Sequence, residues 1–303
     1  MQDNRGNSIQ TFRMIANIFS SNHFSFSLNS FSGPRHYLSH NSIGQEIQIS
    51  EIATKSTSVY PSKHSPRISQ FLGANEIHIW TASLNRDELF IENLHEFITK
   101  NEQIKADKFH FQKDQKNYII SHGLLRIILS RYLIQKPNQI QFSISKYGKP
   151  SLQNNPGDEI LSFNMSHSAD KVIYAITRNR MIGIDIERIV EVYPCEEIAE
   201  NFFSTKENNE LLKLEPGKPR EIAFFTTWTR KEAYIKARGE GLSVPLDQFD
   251  VAVSKDEPAK LIANRMDPEE VTRWTLIDLK TSPGYVSTLA AEGSDLRISY
   301  REI

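Results

Sequence analysis

Two short stretches hold residue types whose spacing suits chemistry at a phosphate. The first is Ile182-Gly183-Ile184-Asp185-Ile186-Glu187. Along a strand the side chains alternate faces, so the three isoleucines share a buried face. Gly183, Asp185 and Glu187 share the opposite one, where the glycine is expected to leave room for a ligand. Two carboxylates two residues apart lie about 7 Å from each other, and they repel. A divalent cation removes that repulsion, and magnesium takes oxygen ligands of this kind. An isolated Asp-x-Glu pair is more often two solvated acids on a surface strand.

The second stretch changes that balance. It runs Trp228-Thr229-Arg230-Lys231-Glu232-Ala233-Tyr234-Ile235-Lys236 and leaves through Gly239-Glu240-Gly241-Leu242. Glu232 and Lys236 stand at i and i+4, stacked on one helix face with Trp228 a turn earlier. A surface ion pair worth a few tenths of a kcal/mol would look the same in isolation. A third carboxylate and an ammonium near the first two would instead give a magnesium-dependent reaction at a phosphate its charges. That reading requires all three carboxylates to converge.

The elements that must position these groups follow from periodicity. A strand is expected at Ile77-His78-Ile79-Trp80, helices over 87–100 and 102–111, and a stronger amphipathic helix over 112–134 that Pro137 stops. A short strand over 141–145 leads to the turn Lys146-Tyr147-Gly148-Lys149-Pro150. Phe163 leads into a polar turn, Asn164 to Ser168, before strands over 172–177 and 182–187. Helices follow over 196–203, 206–214 and 221–237, with Glu215 to Pro219 as a break and Gly239 as a stop. Strands near 249–254, 273–280 and 285–290 close the chain. A long amphipathic helix and a Gly-containing turn near a proline occur in both halves, which hints at duplication.

Bulk properties narrow the class. The chain has 303 residues, room for one large domain or two small ones. The formal net charge of −1 gives no basic field for nucleic acid. Cys195 is alone, so no internal disulfide forms, and no Cys/His cluster has zinc-site spacing. A reducing, cytoplasmic setting fits. All nine histidines lie at or before His167, so the second half has no histidine base. No apolar run approaches the ~18 residues of a membrane span. Residues 1–75 hold three acids against six basic residues, are rich in Ser and Asn, and sustain neither period. Such a leader buries too little to offset its ordering entropy and is expected to be disordered; a transit peptide or a misplaced start would look alike.

Taken together, the motifs resemble those of the 4′-phosphopantetheinyl transferases, in particular their larger, pseudo-dimeric, surfactin-synthetase-activating group. The pattern G-[IV]-D-x-E, followed some forty residues on by W-[ST]-x-K-E-[AS]-x-x-K and G-x-G-L, stands here without departure. Phe163-Asn164-Met165-Ser166-His167-Ser168 looks like that family's N-x-S-H-S turn, and Tyr147 to Pro150 like its Y-G-K-P. Phe202-Phe203-Ser204 with Glu207 resembles F-F-S-x-x-E. The likeness covers about residues 76–303. Departures fall in the first half, where Lys116-Asn117, with Lys105 and Lys108 upstream, stand where basic groups toward the adenylate are usual. Arg126, deeper in the helix, reads as structural.

The resemblance implies an α+β fold of two similar subdomains, 76–178 and 179–303, forming an intramolecular pseudo-dimer after a disordered leader. It implies transfer of the phosphopantetheine arm of coenzyme A to a serine of an apo acyl or peptidyl carrier protein, releasing adenosine 3′,5′-bisphosphate. Asp185, Glu187 and Glu232 would hold magnesium, and Lys236 would offset the charge of the leaving group. His167, Ser166 and Lys149 would hold the 3′-phosphate and adenylate, with Lys105 and Lys116 as further coenzyme contacts. Glu207 directly, or Glu232, would take the serine proton. Larger members act as monomers, and neither nucleic acid nor membrane is an expected partner. Other magnesium-dependent phosphotransferases or nucleases, and a carrier-binding module without activity, are the competing classes.

Overall fold

A computed structural model describes residues 71–133, 135–153, 160–191 and 194–303, together with a two-residue strand β1 (Thr54–Lys55). The expected leader therefore lies almost wholly outside the described residues. The chain divides into two compact α+β units. The first takes the described residues up to Ser143, Pro150–Arg180 and Asp295–Ile303; the second takes Ile144–Lys149 and Met181–Ser294.

In the first unit, one sheet runs in the order β1-β12-β2-β6-β5. Its strands include β2 (Glu76–Ser83), β5 (Leu161–Ser168), β6 (Lys171–Arg178) and β12 (Arg297–Glu302). Strand β12 runs parallel to β2, with Ile298 opposite Ile77, whereas β2, β6 and β5 are antiparallel. Helices α1 (Glu88–Leu94), α2 (Lys100–Ala106) and α3 (Gln112–Ser130) accompany it. Helix α3 buries the expected stripe of Tyr118, Ile119, Leu124, Leu125, Ile128 and Leu129, and Ile120 and Ile127 are buried as well, each contributing roughly 1.5–3 kcal/mol of burial. Arg126 is structural, as expected. It donates to Glu102 Oε2 at 2.8 Å and to the carbonyls of Pro137 and Ile140 at 2.8 and 2.9 Å. The short strands β3 (Phe142–Ile144) and β4 (Pro150–Leu152) flank the turn that carries Lys149.

The second unit is built on the sheet β10-β11-β7, made of β7 (Ile182–Arg188), β10 (Trp274–Asp278) and β11 (Tyr285–Glu292). Helices α4 (Cys195–Phe202) and α5 (Thr205–Leu212) precede the long α6 (Lys218–Arg238). A small sheet of β8 (Phe249–Val251) and β9 (Leu261–Asn264) and a one-turn helix α7 (Glu270–Arg273) complete it. Helix α6 starts earlier than expected. Pro219 sits in its first turn, where a missing N–H costs nothing. Gly239 ends it in the left-handed region, at φ 72°.

Helix α6 lies directly on β7, and Gly183 is the reason it can. A Cβ at Gly183 would stand 2.2 Å from the Ala233 carbonyl oxygen and 2.3 Å from the Ala237 nitrogen. The space the sequence suggested for a ligand is filled by the helix backbone. Gly183→Ala is expected to cost ~3 kcal/mol, because neither backbone can yield without moving the other. Chemical denaturation checks this; a wild-type midpoint would contradict so close an approach.

Three sequence expectations differ from the structure. Residues 164–168 continue β5 as a strand rather than a turn, and the reversal falls at Ala169, with φ 52°. The boundary between units falls between Arg180 and Met181, but the last nine residues return to the first unit. Strand β12 alternates Ile298 and Tyr300 with polar residues, yet its partner β2 lies more than two hundred residues earlier, and no local signal names it.

Candidate functional site

The α6–β7 contact assembles the acidic groups. Because Gly183, Asp185 and Glu187 share the face of β7 that α6 covers, both carboxylates are buried, at 1% and 7% exposure, rather than set on an open face. Helical spacing puts Glu232 and Lys236 over that face. Lys236 Nζ donates to Asp185 Oδ1 at 2.6 Å, and its side chain keeps 14% of its exposure. Ser287, on the neighbouring β11, donates its hydroxyl to the Asp185 carbonyl at 2.6 Å and fixes the strand beneath.

Electrostatics link the four groups. Burial works against the Lys236 charge, but Asp185, then Glu232, and more weakly Glu187 hold its pKa above the usual lysine value. The Glu232 carboxyl is pushed up to about 7, first by burial; Lys236 opposes the rise and the charge of Asp185 adds to it. Three carboxylates thus act on one ammonium, and that ammonium stands against Asp185 where a dication was expected. Among the described residues, no group of three or more His, Cys, Asp or Glu side chains has the spacing that holds a metal ion. The donor set fits magnesium in kind, being oxygen ligands only, without forming a closed three-oxygen cage.

The other expected residues fall in three places. Glu207 is buried, at 1% exposure, and forms a capping box with Ser204 at the start of α5. Its Oε1 accepts from the Val251 N–H at 2.8 Å, and its Oε2 accepts from Ser204 N and pairs with Lys231 Nζ, each at 2.8 Å. Lys149 Nζ donates to the backbone carbonyls of Ile182 and Ala237, both at 2.9 Å. Burial draws its pKa down to about 8. In the first unit, Ser166 and His167 are buried on β5, opposite Ile173 and Val172 of β6. Lys105 Nζ lies 5.5 Å from the centre of the Tyr118 ring, and Lys116 pairs with Glu88.

Sequence reasoning missed Lys231 and Arg230. Both are fully buried on α6. Lys231 donates to the Leu246 and Phe249 carbonyls at 2.8 Å each. Arg230 reaches the carbonyls of Ala252, Ser254 and Glu257 and the Asp278 carboxylate. Their place in the W-T-R-K-E run was the only available signal, and it does not say which charges turn inward.

Comparison with known proteins agrees with the geometry. A family model described as the 4′-phosphopantetheinyl transferase superfamily matches residues 181–290, and one described as 4′-phosphopantetheinyl transferase, N-terminal, matches residues 80–179. The 4′-phosphopantetheinyl transferase HetI of Nostoc sp. is 32% identical over 220 residues, covering 73% of this chain and 89% of that protein. The 4′-phosphopantetheinyl transferase Sfp of Bacillus subtilis is 30% identical over 217 residues, covering 70% and 92%. The 4′-phosphopantetheinyl transferase psf-1 of Bacillus pumilus is 36% identical over 171 residues, covering 56% and 70%. With two adjoining models matched in order across most of the described chain, this protein belongs to the 4′-phosphopantetheinyl transferase superfamily.

Proposed function

We propose that this protein transfers the 4′-phosphopantetheine arm of coenzyme A to a serine of an apo acyl or peptidyl carrier protein, with magnesium. The observation that supports the reading is the 2.6 Å contact of Lys236 with Asp185 on the α6–β7 contact, with Glu232 and Glu187 acting electrostatically on the same ammonium, in a chain of this family. The serine oxygen forms a new bond to the β-phosphorus of the coenzyme. The bond from that phosphorus to the bridging oxygen breaks, and adenosine 3′,5′-bisphosphate leaves with the electron pair. Such transfer depends on positioning and charge neutralisation.

Asp185, Glu187 and Glu232 would hold magnesium, which supplies neutralising charge at the diphosphate when bound. Lys236 offsets charge on the departing bisphosphate. Of the two carboxylates expected to take the serine proton, Glu207 has both oxygens committed to Ser204, Val251 and Lys231, which supports Glu232. Ser166, His167, Lys105 and Lys116 are candidate coenzyme contacts on the resemblance alone. The setting proposed is cytoplasmic and the protein a monomer; among the described residues no helix is long and apolar enough to cross a membrane.

The test is direct. Incubation with coenzyme A, magnesium and an apo carrier protein should add ~340 Da to the carrier, the mass of the arm. No mass gain across fatty-acid and peptide-synthesis carriers would remove the assignment.

A further inference from the structure

The turn that carries Lys149 sits between β3 and β4, yet its residues, Ile144–Lys149, belong to the second unit. The turn is tightly made. Gly148 N donates to the Ser145 carbonyl at 2.9 Å, Ser145 N donates to the Lys149 carbonyl at 2.9 Å, and Gly148 takes φ 90°. Ser145 Oγ also accepts from the Lys149 N–H at 3.1 Å. This fixes the base of the Lys149 side chain, and two further features fix its length and its end. A Cβ at Gly239 would stand 2.8 Å from Lys149 Cδ, so the glycine that closes α6 also makes way for the lysine stem. The ammonium then donates to Ile182 O and Ala237 O, both at 2.9 Å.

Those two carbonyls are neighbours in space but belong to the two different elements that bear the reacting groups. Ile182 begins β7, three residues before Asp185. Ala237 follows Lys236 directly, in the last turn of α6, where carbonyls have no partner within the helix. One side chain therefore ties the strand bearing Asp185 and Glu187 to the helix bearing Glu232 and Lys236, beside the point where Gly183 lets them touch. We propose that Lys149 is a positioning residue for the transfer: it locks the end of α6 to the start of β7 and so sets the spacing of Asp185, Glu232 and Lys236. This rests on the transfer reading above. It differs from the expectation that Lys149 holds the coenzyme 3′-phosphate, since two of the three ammonium protons go to backbone carbonyls.

The experiment compares wild type with Lys149→Met, which keeps the stem and removes every donor, and Lys149→Gln, which keeps one. Transfer is measured with coenzyme A and with coenzyme A lacking its 3′-phosphate, below the melting temperature of each variant. Lys149→Met should lower kcat by roughly 10–100-fold with both substrates, since small misplacements of reacting groups cost this much. KM should change less than about threefold, and the wild-type preference between the two substrates should persist. Lys149→Gln should fall between, and it carries the comparison if Lys149→Met does not fold. A raised KM for coenzyme A, with kcat held and the preference abolished, would overturn the proposal in favour of a phosphate contact. Unchanged kcat and KM would overturn it too. A wild-type protein that transfers neither substrate would remove the transfer reading itself, and the proposal with it.

Discussion

Asp185→Asn is expected to slow transfer by roughly 10³-fold while the protein stays folded. The substitution keeps the shape of the side chain and an oxygen for Lys236 Nζ, now 2.6 Å from Oδ1. It removes a negative charge from a site that is 1% exposed, where water screens little. Loss of one preorganised electrostatic group in such a site typically costs about 10²–10³ in turnover. Asp185 also influences both other groups on α6, helping to keep Lys236 charged and to push Glu232 upward. The comparison is the initial rate of carrier modification, followed by mass, at saturating magnesium. Near-normal turnover there would overturn the metal assignment, and with it the role given to the whole carboxylate set.

A second large effect is expected from Glu207→Ala, this time on stability. Lys231 is fully buried and Glu207 is 1% exposed, so their 2.8 Å contact lies out of reach of solvent. Burial works to lower the Lys231 pKa and Glu207 works to restore it. Removing one partner of such a pair leaves a buried charge uncompensated, at a cost of about 3–5 kcal/mol. The same change also takes away the acceptor for Val251 N and half of the α5 capping box. The melting midpoint should drop by roughly 10 °C. The double variant Glu207→Gln with Lys231→Met should recover much of that loss, since the two charges leave together. A denaturation cycle over Glu207→Gln, Lys231→Met and their double variant measures the coupling. The same variants decide whether Glu207 takes part in chemistry. If it accepted the serine proton, Glu207→Gln would lose turnover at temperatures where it is folded, and the acidic limb of its pH–rate profile would move.

Much of the site was readable because its spacing is local. Period two placed Asp185 and Glu187 on one face, and the i, i+4 step placed Glu232 under Lys236; both follow from backbone geometry. Whether that face is open or covered does not follow, because alternation alone cannot say what lies above a strand. Gly183 illustrates the ambiguity. A glycine beside two acids suits a ligand or a helix equally well, and the structure chooses the helix. Lys149 read as a coenzyme contact in a turn and Lys231 as one charge of a helical motif, yet both end on backbone carbonyls, of Ala237 and of Leu246, that no local spacing names. The long helices α3 and α6 were legible from their apolar stripes. Strand β12 was not, since its pairing is a tertiary fact.

The return of β12 to β2 has a bearing on how this molecule can be taken apart. The stretch 80–179, matched as one family description, lacks the strand that covers one side of β2, so excising it would bare a row of backbone N–H and C=O groups, an invitation to aggregate. The stretch 181–290, matched as the other, lacks the lysine that fastens its principal helix. Chimeras spliced at the Arg180–Met181 junction must therefore exchange one short piece each way, the hairpin tip 144–149 in the first portion and the final nine residues in the second, or neither portion will keep its native partners.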